Sequence, residues 1–255
     1  MRYFRASLVL LLAAVMSAPC TAQEPVANEA PARFMSAEVW PWAYLDDSRQ
    51  PAGLLHTLAQ RLTQVAGLPL HNRVLPHQRL RHDFRLGNGD FAVLFENPTL
   101  DDFAIPLGEV LRSDMFLVAP AGSRVTLSFE GLAGRPVGYI RGTYYGEAFE
   151  ADQGMIKIAT HNLDQALQML EAGRLDAFLS SDVVLYHTFL AKGIDPADFR
   201  LRVYTSGLGG HLYMQREASR PDYGPRLRAA LDILRETGEL EDIFRVPLVS
   251  EPSPR

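Results

Sequence analysis

Apolar positions recur along this chain with two alternating periods, and the alternation is itself regular. "FMSAEVW" (34–40) is a short apolar run of strand type, stopped by the turn-like "PWAYLDDSRQPAG". Leu54, Leu58, Leu62 and Val65 then fall at helical spacing, and Gly67 stands where a helix C-terminus is capped. "LHNRVL" is the next strand. Pro76 opens the helix "HQRLRHDFRLGNG", which ends in glycines, and Asp90 leads into the strand "FAVLF". The order β-α-β-α-β predicts a parallel sheet with crossover helices.

The same order restarts near Pro136. "PVGYI" reads as a strand, "RGTYYGEAFEADQG" as a loop entering a helix, and "MIKIA" as a strand. Leu163, Ala166, Leu167 and Leu170 mark a helix, with Asn162 and Gln165 placed like a capping box. "DAFLS" is the third strand, and "DVVLYHTFLAKG" a helix closed by Gly193. One phrase is thus nearly repeated, "LGNGDFAVLFENP" and "LEAGRLDAFLSSD": a helix ends at Gly, and an Asp opens an apolar strand. Asp90 and Asp176 are expected to serve their turns structurally.

"RLRVYTS" is a further strand of the second unit, and two extended runs, "GEVLRSDMFLVAPAGS" between the units and "SGLGGHLYMQR" after the second, read as paired crossing strands, with "SGLGG" as hinge or turn. The closing "PDYGPRLRAALDILRETGELEDIFR" puts Leu227, Leu231 and Leu234 on one helical face that must dock on a lobe. The predicted fold class is α/β: two mixed, mainly parallel sheets joined by two hinge strands. Lobe 1 is expected at 34–112 plus 207–249 and lobe 2 at 113–206, with 250–255 a tail.

The N-terminus changes the compartment. "MRYFRASLVLLLAAVMSAPCTA" carries Arg2 and Arg5, an apolar core too short to span a bilayer, and small residues suited to cleavage after Ala22, which predicts a signal peptide over 1–22. Cys20, the chain's one cysteine, follows Pro19, which argues against a lipid anchor and leaves the mature chain without disulfides. Removing 22 of 255 residues leaves 233 and moves the formal charge from −5 to −7. A mildly acidic exported protein is not expected to bind nucleic acid. "QEPVANEAPAR" (23–33) reads as a disordered leader.

In open α/β sheets, ligands sit beyond the carboxyl ends of the strands. Position alone therefore nominates Trp40 and Trp42, His77 and Gln78, then Glu96, Asn97, Thr99 and Asp102 in the first unit. In the second it nominates Arg141, Thr143, Tyr144, Ser180, Ser181 and Asp182. Of the two tryptophans, Trp40 is the preferred cleft residue.

The pieces "WPWAYLDDSRQPAGLLHTLAQRLTQVAGL", "LGNGDFAV", "FLVAPAGSRVTLSFEGLAGRPVGYIRGTYYGEAF", "LEAGRLDAFLSSD" and "LRAALDILRETGELEDIF" stand in an order that resembles the type II periplasmic solute-binding proteins, in the group of solute-binding protein family 3. The resemblance covers nearly all of the chain from Glu38 to Arg245. It implies two lobes, a hinge, closure on a small solute, and often delivery to an ABC permease. It also implies an Arg shortly after the third strand for an α-carboxylate, and an Asp after the matching strand of lobe 2 for the ammonium. Here the Arg position falls on Asp102, and the Asp position on Ser181 with Asp182 one step late. The ligand is therefore expected not to be a standard α-amino acid.

Two chemistries remain open at this point. Glu96, Asp101 and Asp102 could form an acidic wall for a cation, with Trp40, Trp42, Tyr144 and Tyr145 as aromatic faces; the alternative is capping or solvated carboxylates. For an anion, Arg79 and Arg141 are the best anchors, with Thr143 at a helix start, although Arg79, Arg81 and Arg85 also suit a solvated face. His77 and His82, five apart, do not share a helix face, and no metal or cofactor is expected. The expected function is a monomeric periplasmic binder, possible partners being an ABC permease or a membrane sensor. An enzyme using Asp102 or Glu96 as acid or base is the lesser alternative, since no nucleophile–base motif is present.

Overall fold

The computed structural model describes residues 30–246. The expected signal peptide, most of the leader and the tail lie outside the described residues. Strand β1 (Ala32–Ala37) starts two residues before Phe34, inside the expected leader. Ala32 pairs in parallel with Leu70, and the Arg33 guanidinium donates to Asp90, so pairing and charge extend the strand past the point where composition turns polar.

A short hairpin, β2 (Tyr44–Leu45) and β3 (Pro51–Ala52), precedes α1 (Leu54–Ala66). Leu55, Leu58, Ala59 and Leu62 bury one face of α1, each leucine contributing about 2 kcal/mol of transfer free energy. Gly67 ends the helix with a left-handed φ of 62°, a conformation a side chain would resist. Next come β4 (Leu70–Leu75), α2 (His77–Arg85) and β5 (Phe91–Phe95), with β4 and β5 parallel to β1 on either side.

After a 3-10 turn at Pro98–Leu100 the chain runs through the long strand β6 (Ala104–Pro120). The second unit follows: β7 (Pro136–Ile140), α3 (Glu147–Ala151), β8 (Ile156–Thr160), α4 (Leu163–Glu171), β9 (Ala177–Ser181) and α5 (Asp182–Lys192). Its order, β8-β7-β9, reproduces β4-β1-β5. The N-terminus of α4 is capped from both sides. Asn162 Oδ1 accepts from Gln165 N at 2.9 Å, and Gln165 Oε1 accepts from His161 N at 2.7 Å, one residue earlier than in a standard capping box.

The return strand β10 (Phe199–Gln215) pairs antiparallel with β6 along nearly its whole length. β5 hydrogen-bonds to β10 and β9 to β6, so one ladder runs β4-β1-β5-β10-β6-β9-β7-β8. The two arms are joined through two hinge strands, as the sequence predicts, and because each arm's open edge is paired with a hinge strand the ladder is continuous. The register of β10 slips between Val203 and Thr205 and again between Thr205 and Leu208. "SGLGG" lies in this irregular stretch of strand rather than in a free turn, and Gly207 has φ 65°.

Helices α6 (Tyr223–Glu236) and α7 (Glu239–Ile243) return to the first arm, where Leu227, Leu231 and Leu234 are buried. Asp90 is completely buried and accepts from Arg33 N (2.7 Å), Arg33 Nε (3.0 Å), Arg33 Nη2 (2.9 Å), Ser219 N (2.7 Å) and Ser219 Oγ (2.9 Å). Asp176, its counterpart, makes one half-exposed ion pair with Arg135 at 3.1 Å. In both units the Asp backbone N–H donates to a carbonyl at the first strand, Arg33 O or Pro136 O, at 2.9 Å. Among the described residues no helix is long and apolar enough to cross a membrane.

Candidate functional site

The strand tips of the two arms face each other, and a cavity of about 70 Å³ lies between them. The first arm supplies Val39 and Trp42 after β1, Phe95 and Asn97 at the end of β5, and His77 and Arg81 from α2. The second supplies Ile140 and the loop 142–145 after β7, then Ser181 and Val184 where β9 enters α5. Leu111 and Gly210 of the crossing strands close the floor.

The arms touch directly over this cavity. His77 Nδ1 and Thr143 Oγ1 lie 3.4 Å apart, and a Cβ on Gly142 would stand 3.1 Å from His77 Cβ. Gly142 has φ 90°, a conformation that favours glycine and lets this loop approach α2 closely. This is a closed arrangement.

Most of the lining is apolar, and its polar groups are committed in a definite sense. Asn97 Oδ1 accepts from Thr99 N (2.9 Å) and Thr99 Oγ1 (2.8 Å), which leaves the amide nitrogen as its available donor. Ser181 Oγ accepts from Val184 N at 3.3 Å as the cap of α5 and keeps its hydroxyl proton to donate. The buried Tyr145 hydroxyl accepts from Ile140 N at 3.2 Å, and burial pushes its pKa far above the usual phenol value. Burial, with the Arg81 charge adding to it, lowers the His77 pKa to about 4, so the imidazole is neutral at pH 7. No Asp or Glu lines the cavity, and Arg81 is its one residue of fixed charge. Among the described residues no carboxylate lies within ion-pair distance of Arg81, and no group of three or more His, Cys, Asp or Glu is arranged to hold a metal.

Six residues nominated by position line the cavity: Trp42, His77, Asn97, Thr143, Tyr144 and Ser181. The other eight, and Arg79, stand elsewhere: among them Gln78 is exposed on α2, and Ser180 is buried with its hydroxyl donating to Ser181 O at 3.1 Å. Trp40 is exposed and lies against the Tyr44 ring at 4.9 Å, beside a surface groove formed with Leu163, Thr188 and Lys192. Trp42 is the buried cavity tryptophan, packed edge-on to Phe95 at 6.0 Å. Arg79 is exposed and pairs with Asp83 at 3.5 Å, and Arg141 is exposed at the mouth of its loop. Glu96 Oε1 accepts from Gly209 N at 3.2 Å, facing the crossing strands. Thr99 serves the Asn97 turn, and Asp102 with Asp101 stands on the exposed turn beyond it. Asp182 turns toward β6, where it accepts from the Ser113 hydroxyl and from Val183 N, and burial pushes its pKa up.

Arg81 lies a full helical turn beyond the strand tip, where position alone does not nominate it. The usable signal was helical: Arg81 follows His77 by four and shares its face, whereas Arg79 points away.

No family model matches this chain, and no curated protein does. Solved structures do. A histidine kinase sensor domain described as similar to periplasmic binding proteins aligns with TM-score 0.73 and 18% identity, over 87% of this chain and 97% of that one. An ancestral arginine-binding protein bound to arginine gives 0.69 and 18%, covering 85% and 97%. The VFT2 domain of Bordetella pertussis BvgS gives 0.65 and 17%, covering 88% and 95%. At such identities the likeness speaks for architecture, and with the repeated β-α-β-α-β units and the shared cavity it leads to one conclusion: the chain has the two-lobed α/β fold of the type II periplasmic binding proteins.

Proposed function

We propose that the protein is an exported, periplasmic solute-binding protein that captures one small solute by closing its lobes on it. In this reading lobe 1 is 34–112 with 207–249, and lobe 2 is 113–206. One observation carries the proposal: a largely apolar cavity is lined from both lobes, which meet beside it where His77 approaches Gly142 and Thr143. A solute that touches both lobes makes its full set of contacts only in the closed form, so its binding energy drives closure.

The function is capture, without turnover. Glu96 and Asp102 stand outside the cavity, and the Ser181 hydroxyl is engaged as a helix cap with no base beside it. Delivery to an ABC permease is the first destination. Presentation to a membrane sensor is the second, favoured by the sensor domain among the similar structures. A thermal-shift screen of amines, amino acids, sugars and carboxylates tests the proposal. A ligand selective for the native state raises the melting temperature, and steady release of a chemically altered product would replace the binder reading with an enzyme.

The closed form carries its own pH dependence. Burial and the Arg81 charge hold His77 at about 4, against an ordinary 6.5, and the part of that burial supplied by the Thr143 loop is relieved when the lobes part. The open form therefore binds the proton more readily between those values, and the stabilisation of the closed form is complete above pH 6.5 and lost as pH falls toward 4. Small-angle scattering is expected to show the radius of gyration growing over that interval while helical content stays constant; no change in radius would remove His77 from the closure equilibrium.

A further inference from the structure

We propose that the cavity selects a small organic monoanion, a short carboxylate with an apolar body, anchored by Arg81. The inference rests on the solute-binding reading and names its ligand class.

Three polar groups of the cavity wall are placed to donate. Arg81 offers a guanidinium, Asn97 its amide nitrogen after Thr99 has taken the oxygen, and Ser181 its hydroxyl proton after Val184 has taken the lone pair. Acceptors are scarce: no carboxylate lines the cavity, and the His77 ring is already placed against Thr143. A cation or the ammonium of a zwitterion would be desolvated there without an anionic partner, at a cost of several kcal/mol.

Arg81 poses the complementary problem. It stands partly buried in the cavity wall with no ion-pair partner among the described residues. An anion supplied by the ligand satisfies it, and a carboxylate matches its planar fork in two parallel hydrogen bonds. The remaining wall, with Val39, Trp42, Leu111, Ile140 and Val184, suits hydrocarbon. The cavity, about 70 Å³, is small and suits a short chain such as propionate, butyrate or valerate. Inorganic phosphate has the charge and the size but leaves the apolar wall unused.

Calorimetric titration of the full mature chain with butyrate, 4-aminobutyrate, butylamine and inorganic phosphate tests this. Butyrate is expected to bind, with 4-aminobutyrate about 100-fold weaker or more, since it adds only an unpaired ammonium. Arg81→Gln is expected to weaken butyrate about 10- to 100-fold, with Arg81→Lys losing less because the charge remains. The melting temperatures of the ligand-free variants establish that both fold. Phosphate binding as tightly as butyrate overturns the apolar-body part. Unchanged butyrate affinity in Arg81→Gln overturns the anchor. A preference for an amine, amino acid or sugar overturns the ligand class and leaves solute capture standing; no shift with any solute class overturns both.

Discussion

Replacing Asp90 with alanine is expected to cost about 3 kcal/mol of folding stability, whereas Asp176→Ala costs less than about 1 kcal/mol. Both residues open the third strand of their unit after a glycine turn, in nearly the same local sequence. Their surroundings differ. Asp90 is fully buried and gathers three donors from Arg33 and two from Ser219. Its removal leaves the Arg33 guanidinium, on a side chain 35% exposed, without its carboxylate, and the backbone N–H groups of Arg33 and Ser219 without their acceptor. Asp176 holds one ion pair with Arg135, both partners in contact with water. For a chain of this size, the Asp90 loss corresponds to a fall of about 6–12 °C in melting temperature. A calorimetric scan in which both variants melt together would refute the distinction. Acid reads the same site: burial alone would raise the Asp90 pKa, but the bonds from Arg33 and Ser219 outweigh it and hold the carboxyl at about 2. Its stabilisation is present above the ordinary value of 3.8 and is lost as pH falls from there toward 2.

Gly142→Ala is expected to weaken solute binding about tenfold or more by opposing closure. A Cβ at 142 would lie 3.1 Å from His77 Cβ, 3.2 Å from its Cγ and 3.3 Å from Gln78 N, all on the opposite lobe. The backbone at φ 90° also disfavours alanine, but that strain belongs to the loop in open and closed forms alike. The contact with α2 exists only when the lobes meet, so it shifts the equilibrium between them. The variant is expected to have a larger radius of gyration without ligand and to compact less on binding. Full compaction with wild-type affinity would show that the loop yields instead.

The elements were legible where local chemistry decides them. "LHNRVL", "FAVLF" and "PVGYI" coincide with β4, β5 and β7, and Gly67 and Gly193 end their helices as their lack of a side chain predicts. The start of β1 was not legible, because Arg33 becomes structured through Asp90, 57 residues away. Nor was the continuity of the ladder, which depends on β6 and β10 offering different edges to different arms. At the site, the rule of strand tips found the right loops, but which side chain turns inward is set by rotation. One step from Ser181 to Asp182 at the start of α5 swings the carboxylate from the cavity to Ser113, and two steps from Arg79 to Arg81 exchange solvent for the cavity.

The path of the chain also sets an order of assembly during synthesis. The strands β7, β8 and β9 lie within 136–181, and their arm can condense against the outer part of β6 as soon as that stretch has emerged. The first-made arm must wait. Its β5 edge stays unpaired until residues 210–214 emerge, and Asp90 lacks two of its five donors until Ser219 does. The half that is translated first is thus completed last, and a nascent chain truncated before residue 210 should be protease-resistant in its later half and cleavable in its earlier one.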